Sequence, residues 1–361
     1  MTHPLRRRRP GLGPALVLVV ALAAAACSSG GDEAEGPTST EGTTTTTLPP
    51  RFPLTGLVAG PADAEALGRP ALTVKIENAA VARPQAGLDQ ADVVYEEVVE
   101  GGQTRFLAVF HSAGSDVGPV RSVRPTDPDV VGPLGGLFAY SGGTAPFVAK
   151  LRQTPGLVDV GASASPDAYR RRSDRSSPHN LYSSTDALYT AGPGDLAPPG
   201  ALWAFTADDA PFAPAGAAEL RGLDIRLGAT TTATYTWDEA RGGWLRTTDG
   251  RAHLVESGAQ LAPANVIVQF VPYRDSGGRD AAGSVVPEAT VVGQGEALVL
   301  SGGRYVRGRW AKASGSEATV FTDAAGQPIA LRPGRTWVEL VDVGAPFTLD
   351  EPPPPPTTAA P

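Results

Sequence analysis

From about Leu223 to Val343 the sequence alternates apolar and polar residues in short stretches separated by turns rich in Gly and Asp. A period of two is typical of β-strands, and this part of the chain has no helical periodicity. The 43 Gly and 35 Pro among 361 residues fit a chain with many turns. We predict an all-β sandwich or barrel here, with strands at Thr232–Trp237, Gly243–Arg246, Val266–Val271, Ala297–Leu300, Tyr305–Trp310, Ala318–Phe321 and Thr336–Val341.

Residues 52 to about 195 carry a different, mixed α/β pattern. A helix is predicted at Ala145–Gln153, with Thr144 as its N-cap residue. Strands are predicted at Leu72–Ile76, Asp92–Val99, Thr104–Phe110 and Gly136–Tyr140. The third strand is nearly continuous in apolar residues and should be central, and Gly101-Gly102 should close a hairpin with the second. The predicted fold class is therefore α+β, a mixed α/β N-terminal domain followed by an all-β C-terminal domain.

The N-terminus has the layout of a bacterial export signal. Arg6–Arg9 precede an apolar stretch, Leu12–Ala26, which ends in small residues directly before Cys27. The sequence around Cys27 resembles a lipobox, in which the thiol is acylated, although Ala24 stands where Leu is commoner. A plain signal peptide cut near Ala26 is the alternative. Two or three acyl chains would hold the chain at the extracytoplasmic face of a bacterial cell membrane, since one chain alone binds marginally.

Composition shifts predict the remaining boundaries. Residues 28–50 lack apolar periodicity and contain a Thr run, and the C-terminus is a polyproline stretch. The predicted segments are a lipoprotein signal peptide (1–26), a disordered tether (27–50), the α/β domain (51–195), a linker (196–218), the all-β domain (219–348) and a Pro-rich tail (349–361).

Composition also excludes several classes of function. Cys27 is the only Cys, which excludes an intrachain disulfide, a Cys-based zinc cluster and a CxxC redox site. Only four His are present, so we predict no metal centre and no cofactor. Removing residues 1–26 leaves 26 basic against 38 acidic side chains, and such an acidic chain is a poor nucleic-acid binder.

Several motifs resemble those of the YerB-like bacterial lipoproteins, over about residues 52–345. The resemblance implies a membrane-anchored envelope protein built from a domain of unknown function, with no established reaction and no list of catalytic residues. The motifs are Ile76-Glu77-Asn78, Ala82–Leu88, Ala91–Glu96, Glu100–Phe106, Gly118–Ser122, Pro178-His179-Asn180, Asn265–Val268, Gly303–Lys312 and Pro333–Trp337.

Arg121 and Arg124 are the strongest candidates for ligand binding. They lie in a loop stiffened by Pro and Gly, and two planar guanidinium groups suit a phosphate, diphosphate or carboxylate. The alternative is an ion network with Asp127, Asp129, Glu96 or Glu100. The full set of candidate ligand-binding residues is Glu77, Asn78, Arg83, Gln85, Asp92, Glu96, Arg105, Arg121, Arg124, His179 and Asn180.

Other polar residues leave two interpretations open. Asp92, Glu96 and Glu100 are evenly spaced, so they form either the polar face of an edge strand or a charged site able to hold a divalent cation. His179 is either a general base or a loop residue bonded to backbone. Ser141-Gly142-Gly143-Thr144 could bind an anion at the start of the helix. The four Trp of the all-β domain fill its core or form a glycan-stacking platform.

Two hypotheses of function follow. The first is a non-catalytic envelope lipoprotein that binds an anionic ligand, a cell-wall glycan, a phosphate-bearing ligand or an envelope protein. The second is an enzyme similar in motif order to the LytR–CpsA–Psr phosphotransferases, which act on polyprenyl-diphosphate-linked glycans. That analogy makes Arg83, Arg121 and Arg124 diphosphate clamps and Asp92 the carboxylate next to a metal. No GxSxG, HExxH or SxxK motif is present, so a non-catalytic role is favoured.

Overall fold

The computed structural model describes residues 49–280 and 282–353, and the helices in this range are short. Their bounds are α1 Ala64–Gly68, α2 Asp127–Val131, α3 Ala145–Gln153 and α4 Thr185–Ala191. Among the described residues no helix is long and apolar enough to cross a membrane. The predicted signal peptide, Cys27, the tether up to residue 48 and the tail from residue 354 lie outside the described residues.

Four strands of the first half follow the predicted positions closely, and four others were not predicted. In chain order the eight are β1 Leu72–Glu77, β2 Val93–Val98, β3 Thr104–Phe110, β4 Asp116–Val117, β5 Gly136–Ala139, β6 Leu157–Asp159, β7 Arg170–Arg171 and β8 Leu181–Ser184. The predicted ones are β1, β2, β3 and β5. The predictions for β3 and for helix α3 are confirmed residue for residue. Thr144 precedes α3 as predicted, but its side chain makes no capping hydrogen bond.

The second half is almost entirely strands, and every predicted strand overlaps one. They are β9 Ala218–Glu219, β10 Gly222–Arg226, β11 Thr232–Asp238, β12 Gly243–Thr248, β13 Arg251–Ala252, β14 Asn265–Val271, β15 Tyr273–Arg279, β16 Val285–Ala289, β17 Gly293–Ser301, β18 Arg304–Lys312, β19 Val320–Thr322, β20 Thr336–Asp342 and β21 Phe347–Asp350. Strand β21 extends two residues into the predicted tail, because Leu349 and Asp350 still pair with β10. The α+β class with a β-rich C-terminal region is confirmed.

The largest sheet has eleven strands and includes both halves of the chain. Its order is β19-β18-β17-β14-β20-β2-β3-β1-β5-β6, and β9 also pairs with β18. The two halves meet at the parallel pair β2–β20, in register from Val93–Thr336 to Glu96–Glu339. Strand β3 is central, as predicted, and forms the predicted hairpin with β2. Strand β2 is also interior, so the prediction that its acidic residues form the polar face of an edge strand is wrong.

Each face of the large sheet is covered by a different set of elements. A second sheet, in the order β13-β12-β11-β10-β21, packs its apolar residues, among them Tyr235 and Trp244, onto the face that carries Phe106 and Trp337. Helices α2 and α3 cover the other face around Leu107 and Phe138. The large sheet is therefore buried on both sides, which is why β3 and β14 are apolar almost throughout.

Candidate functional site

Two charged residues of neighbouring strands bring the site together. Glu77 is the last residue of β1, and Arg105 is the second residue of β3. The antiparallel register pairs these two residues directly, so their side chains leave the sheet on the same face. The sheet thus places one acidic and one basic side chain next to each other at one end of its central strands.

A loop adds two further arginines at this end of β1. Residues 118–124 lead from β4 towards α2 and run alongside β1. The Arg121 N–H donates to the Lys75 carbonyl at 2.8 Å, and the Arg121 carbonyl accepts from the Ser141 N–H at 2.9 Å. Because the backbone is bonded on both sides, the loop holds Arg121 and Arg124 in fixed positions near Arg105.

We call the resulting group the arginine cluster; it consists of Arg105, Arg121, Arg124, Glu77, Glu100 and His179. Glu77 joins two members. One carboxylate oxygen accepts a hydrogen bond from His179 Nδ1 at 2.8 Å, and the other lies 3.4 Å from Arg121 Nε. Glu100 pairs with Arg124 and lies 3.9 Å from Arg105 Nη2. The cluster is therefore one connected network of charges.

Positive groups outnumber carboxylates within the arginine cluster. Arg105 and Arg124 are 8% and 7% exposed, and both donate to the Ser122 carbonyl, at 3.2 and 3.3 Å. Burial and the nearby charge of Arg124 lower the pKa of Arg105 to about 10. The three guanidinium groups face two carboxylates, so an additional anion at this position would be electrostatically favoured.

A buried ionic triad adjoins the cluster and offsets part of its charge. Lys75 pairs with Glu97 and Asp127, and the Asp127 carboxylate also accepts the Arg124 N–H at 2.7 Å. Burial raises the pKa of Glu97 to about 7, and the charge of Asp127 adds to this against the opposing effect of Lys75. Near neutral pH the Glu97 carboxyl group is therefore protonated in part of the molecules.

The solvent reaches the cluster from one side. The side chains of Arg121 and His179 are 19% and 26% exposed, whereas that of Glu77 is 4% exposed. Loop 141–144 lies beside Arg121. The backbone N–H groups of Gly142, Gly143 and Thr144 in this loop donate no hydrogen bond to any described residue. A ligand would thus meet Arg121, His179 and these N–H groups first.

Three predicted site residues are buried in a separate interior network instead. Asn78 donates to Glu96 at 2.9 Å, and Gln85 donates to the Glu77 carbonyl at 2.8 Å. Glu96 pairs with Arg246, which sequence reasoning did not single out. None of these side chains has more than 2% exposure. They hold the two sheets together and do not face the solvent.

Arg246 is the centre of the interior network. Its guanidinium lies 2.5 Å from a carboxylate oxygen of Glu96 and 2.5 Å from one of Glu339, and it stacks 4.8 Å from the Trp337 ring. Burial and the charge of Glu96 raise the pKa of Glu339 to about 8. His253, beside Arg246, is buried and its pKa is lowered well below the usual value by that burial. No local sequence pattern signals this network, because its members come from three separate strands and two connecting segments.

The remaining predicted site residues lie apart from the arginine cluster. Arg83 pairs with Asp249 at 2.9 Å and contacts Asn78. Asn180 accepts from Arg171 at 2.8 Å. Asp92 accepts the backbone N–H groups of His111 and Ser112, at 2.6 and 2.7 Å. Arg83 is therefore not part of the arginine cluster, although the phosphotransferase analogy groups it with Arg121 and Arg124.

The evenly spaced row of Asp92, Glu96 and Glu100 does not form one site. Only Glu96 belongs to β2, since Asp92 precedes the strand and Glu100 begins the turn Glu100–Gly102. Each carboxylate has different partners, as described above. Among the described residues no group of three or more His, Cys, Asp or Glu side chains is placed to hold a metal ion.

The Trp residues of the second half pack mostly as core. Trp244, Trp310 and Trp337 are at most 2% exposed, and Trp237 packs against Trp244 with ring centroids 5.1 Å apart. The burial of these rings leaves no exposed aromatic surface for stacking a glycan at Trp244, Trp310 or Trp337. The core interpretation is therefore the one that the structure supports.

Comparison with known proteins gives consistent results. Residues 54–195 match the family described as "Protein of unknown function (DUF3048) N-terminal domain", and residues 223–338 match its C-terminal domain. The chain is 27% identical over 304 residues to YerB of Bacillus subtilis (strain 168), whose name provisionally labels it a lipoprotein; the match covers 81% of this chain and 86% of YerB.

A solved structure shows the same fold. The crystal structure of YerB from Bacillus subtilis matches with a TM-score of 0.69 at 23% identity, over 82% of this chain and 99% of the other. The N-terminal family domain matches the first half of the described chain, and the C-terminal family domain matches the second half. The chain therefore belongs to the YerB-like family, built from DUF3048 N- and C-terminal domains.

Proposed function

We propose that this chain is a lipoprotein of the bacterial cell envelope, anchored at the extracytoplasmic face of the membrane through acylated Cys27. Support comes from Arg6–Arg9, the apolar stretch that ends at Ala26 and the position of Cys27 as the only Cys. The similarity to YerB, a protein labelled as a lipoprotein, agrees with it. Residues 28–50 would then serve as a tether between the lipid and the folded part.

The arginine cluster would bind an anionic envelope ligand that carries a phosphate or carboxylate group. The observation that carries this proposal is that three guanidinium groups, two of them more than nine-tenths buried, face only two carboxylates. Arg121 lies at the exposed side, where free N–H groups of loop 141–144 add donors. A bound phosphate or carboxylate would accept hydrogen bonds from these donors and neutralise the excess charge.

We favour binding over catalysis because the groups required by the phosphotransferase hypothesis are engaged elsewhere. One carboxylate oxygen of Asp92 accepts two backbone N–H groups and the other accepts the Ser112 hydroxyl, and Arg83 is paired with Asp249. No observation favours a metal-dependent transfer at this position. His179, whose Nδ1 donates to Glu77, would donate to a bound anion from Nε2 in the protonated imidazolium form.

One experiment tests the anchor and the ligand together. The full chain is produced in a bacterial host, purified from membranes in mild detergent and analysed by native mass spectrometry. We expect an N-terminal mass for diacylglycerol-modified Cys27 and a retained anionic ligand, which Arg121→Ala with Arg124→Ala removes. Arg83→Ala, which changes an arginine outside the cluster, should keep the ligand. An unmodified Cys27 refutes the anchor, and an equally retained ligand in the double variant refutes the site.

A further inference from the structure

A groove of about 600 Å³ lies in the C-terminal half, on the sheet face opposite to the arginine cluster. It lies over the end of β14, the first half of β17 and the middle of β18 in the large sheet, beside β21 of the five-stranded sheet. Phe270 and Leu298 form its floor, and Phe347 of β21 forms one wall, with its ring 5.5 Å from that of Phe270. This volume lies in the range of ligand-binding clefts.

The lining of the groove has two arginines and two carboxylates, so its formal charges balance, but the arginines outnumber the carboxylates that have no bonded partner. Arg307 and Arg309 are exposed, occupy alternate positions of β18 and form no ion pair among the described residues; Arg307 lies over the Phe347 ring at 5.7 Å. Glu296, across from Arg309 in β17, is the one free carboxylate in the described lining. The Asp323 carboxylate, by contrast, accepts backbone N–H groups of its own turn and of Ala215. The rim thus suits an acidic group.

Strand β21 presents an unpaired backbone edge beside this groove. It is the last strand of the five-stranded sheet on this side among the described residues. Its register with β10 pairs Asp224 with Thr348, and the Pro346 carbonyl accepts the Arg226 N–H. In an antiparallel pair only every second residue bonds to the neighbouring strand, so the N–H and C=O groups of Phe347 and Leu349 point away from β10.

We propose that this groove binds an extended, acidic peptide segment of a partner protein, which adds as a further strand to β21. The backbone of the peptide would bond to Phe347 and Leu349. Its central inward side chains would make apolar contact with Phe270 and Leu298, and the inward side chains at its two ends would pair with Arg307 and Arg309. Strand addition combines backbone bonds for affinity with side-chain pockets for specificity, and this groove supplies both beside one edge.

The test uses a peptide that fits in either direction. The probe is fluorescein-labelled Glu-Thr-Val-Thr-Val-Thr-Glu, which places two Val and two Glu on one face of a strand. Its binding to the full chain in detergent is followed by fluorescence anisotropy at low and high salt. Three companion probes are used. In the first, Lys replaces both Glu residues. The second carries N-methyl groups on the backbone nitrogens of the Thr residues, and the third carries them on those of the Val residues.

Matched double variants identify the binding surface. Arg307→Gln with Arg309→Gln should weaken binding by roughly tenfold or more at low salt, because two partly desolvated charges are lost. Arg241→Gln with Arg251→Gln removes two exposed arginines at the far side of the same five-stranded sheet and should change binding less than about twofold.

The outcomes are distinct. The proposal predicts that the Lys probe and one of the two N-methylated probes lose binding, because only one set of backbone N–H groups faces β21. It is overturned if the groove variant binds as the wild type does, if both N-methylated probes bind equally well, or if the acidic probe fails to bind. It is also overturned if sedimentation shows a dimer that the groove variant abolishes, since the edge would then pair with a second copy.

Discussion

His179 Nδ1 donates a hydrogen bond of 2.8 Å to a carboxylate oxygen of Glu77, although the two residues are 102 positions apart in the sequence. The same carboxylate faces Arg121 through its other oxygen at 3.4 Å. Glu77 therefore ties together the end of β1, loop 118–124 and the loop that carries His179. These three segments form the solvent-facing side of the arginine cluster.

Glu77→Gln should lower the free energy of unfolding by about 1–3 kcal/mol, because a buried carboxylate that accepts from His179 and pairs with Arg121 becomes neutral. Asp174→Asn is the matched control: Asp174 also pairs with an arginine, Arg172, but its side chain is 58% exposed, so we expect no measurable change in stability. Urea unfolding followed by tryptophan fluorescence measures both. Equal losses in the two variants would contradict the structural importance of Glu77.

Arg246→Met should destabilise the chain strongly, by about 3–5 kcal/mol, because Glu96 and Glu339 would remain buried without their common partner. Adding Glu96→Gln and Glu339→Gln to this variant should recover part of the loss, since the uncompensated charges are removed. Thermal unfolding of the three proteins gives the comparison. A triple variant less stable than Arg246→Met would show that carboxylate charge is not the cause.

Stability should decline as pH rises from about 6.5 to about 8. The pKa of Glu339 is raised to about 8 in the folded chain, mainly by burial, so over this interval the folded state keeps a proton that the unfolded state has released. Folding is then favoured at the lower pH, with a slope of up to about 1.4 kcal/mol per pH unit. Glu97, with a pKa raised to about 7, acts in the same direction.

Glu339→Gln isolates the contribution of this residue. The amide oxygen can still accept from Arg246 and Tyr235, and the side chain no longer titrates. We expect a smaller loss of stability between pH 6.5 and 8 than in the wild type, measured by urea unfolding at each pH. His253 does not disturb this window, because its lowered pKa reduces stability only as pH falls below about 6.5. This explanation would be contradicted if Glu339→Gln lost as much stability between pH 6.5 and 8 as the wild type does.

Sequence reasoning was accurate wherever local pattern determines the structure. Strand β3 was predicted in full because Thr104–Phe110 is apolar almost throughout, and helix α3 because Pro and Thr mark its start. The hairpin β15–β16 was missed, because Arg274–Gly278 is polar and Gly-rich and lacks the alternation of a half-buried strand. The pairing of β15 with β16 therefore depends on tertiary contacts and not on a local sequence pattern.

Long-range pairing limited the prediction of the site. Arg105, Arg121, Arg124 and His179 are all site candidates by sequence, and they lie together because β3 and loop 118–124 both run beside β1, while His179 bonds to Glu77 at the end of β1. Arg83 is grouped with them only through the order of motifs along the chain, and its partner Asp249 is 166 residues away. The pair Glu96–Arg246 spans 150 residues and requires the β2–β20 junction, which no local pattern reveals.

The central claim is that the arginine cluster is an anion site, and calorimetric titration of the full chain with inorganic pyrophosphate tests it most directly. Arg121→Gln and Arg83→Gln are a matched pair, since both side chains are 19% exposed and ion-paired, and only Arg121 belongs to the cluster. We predict saturable binding at low salt that Arg121→Gln weakens by roughly tenfold and Arg83→Gln leaves within about twofold. Absence of binding, or equal weakening by the two substitutions, would contradict the account.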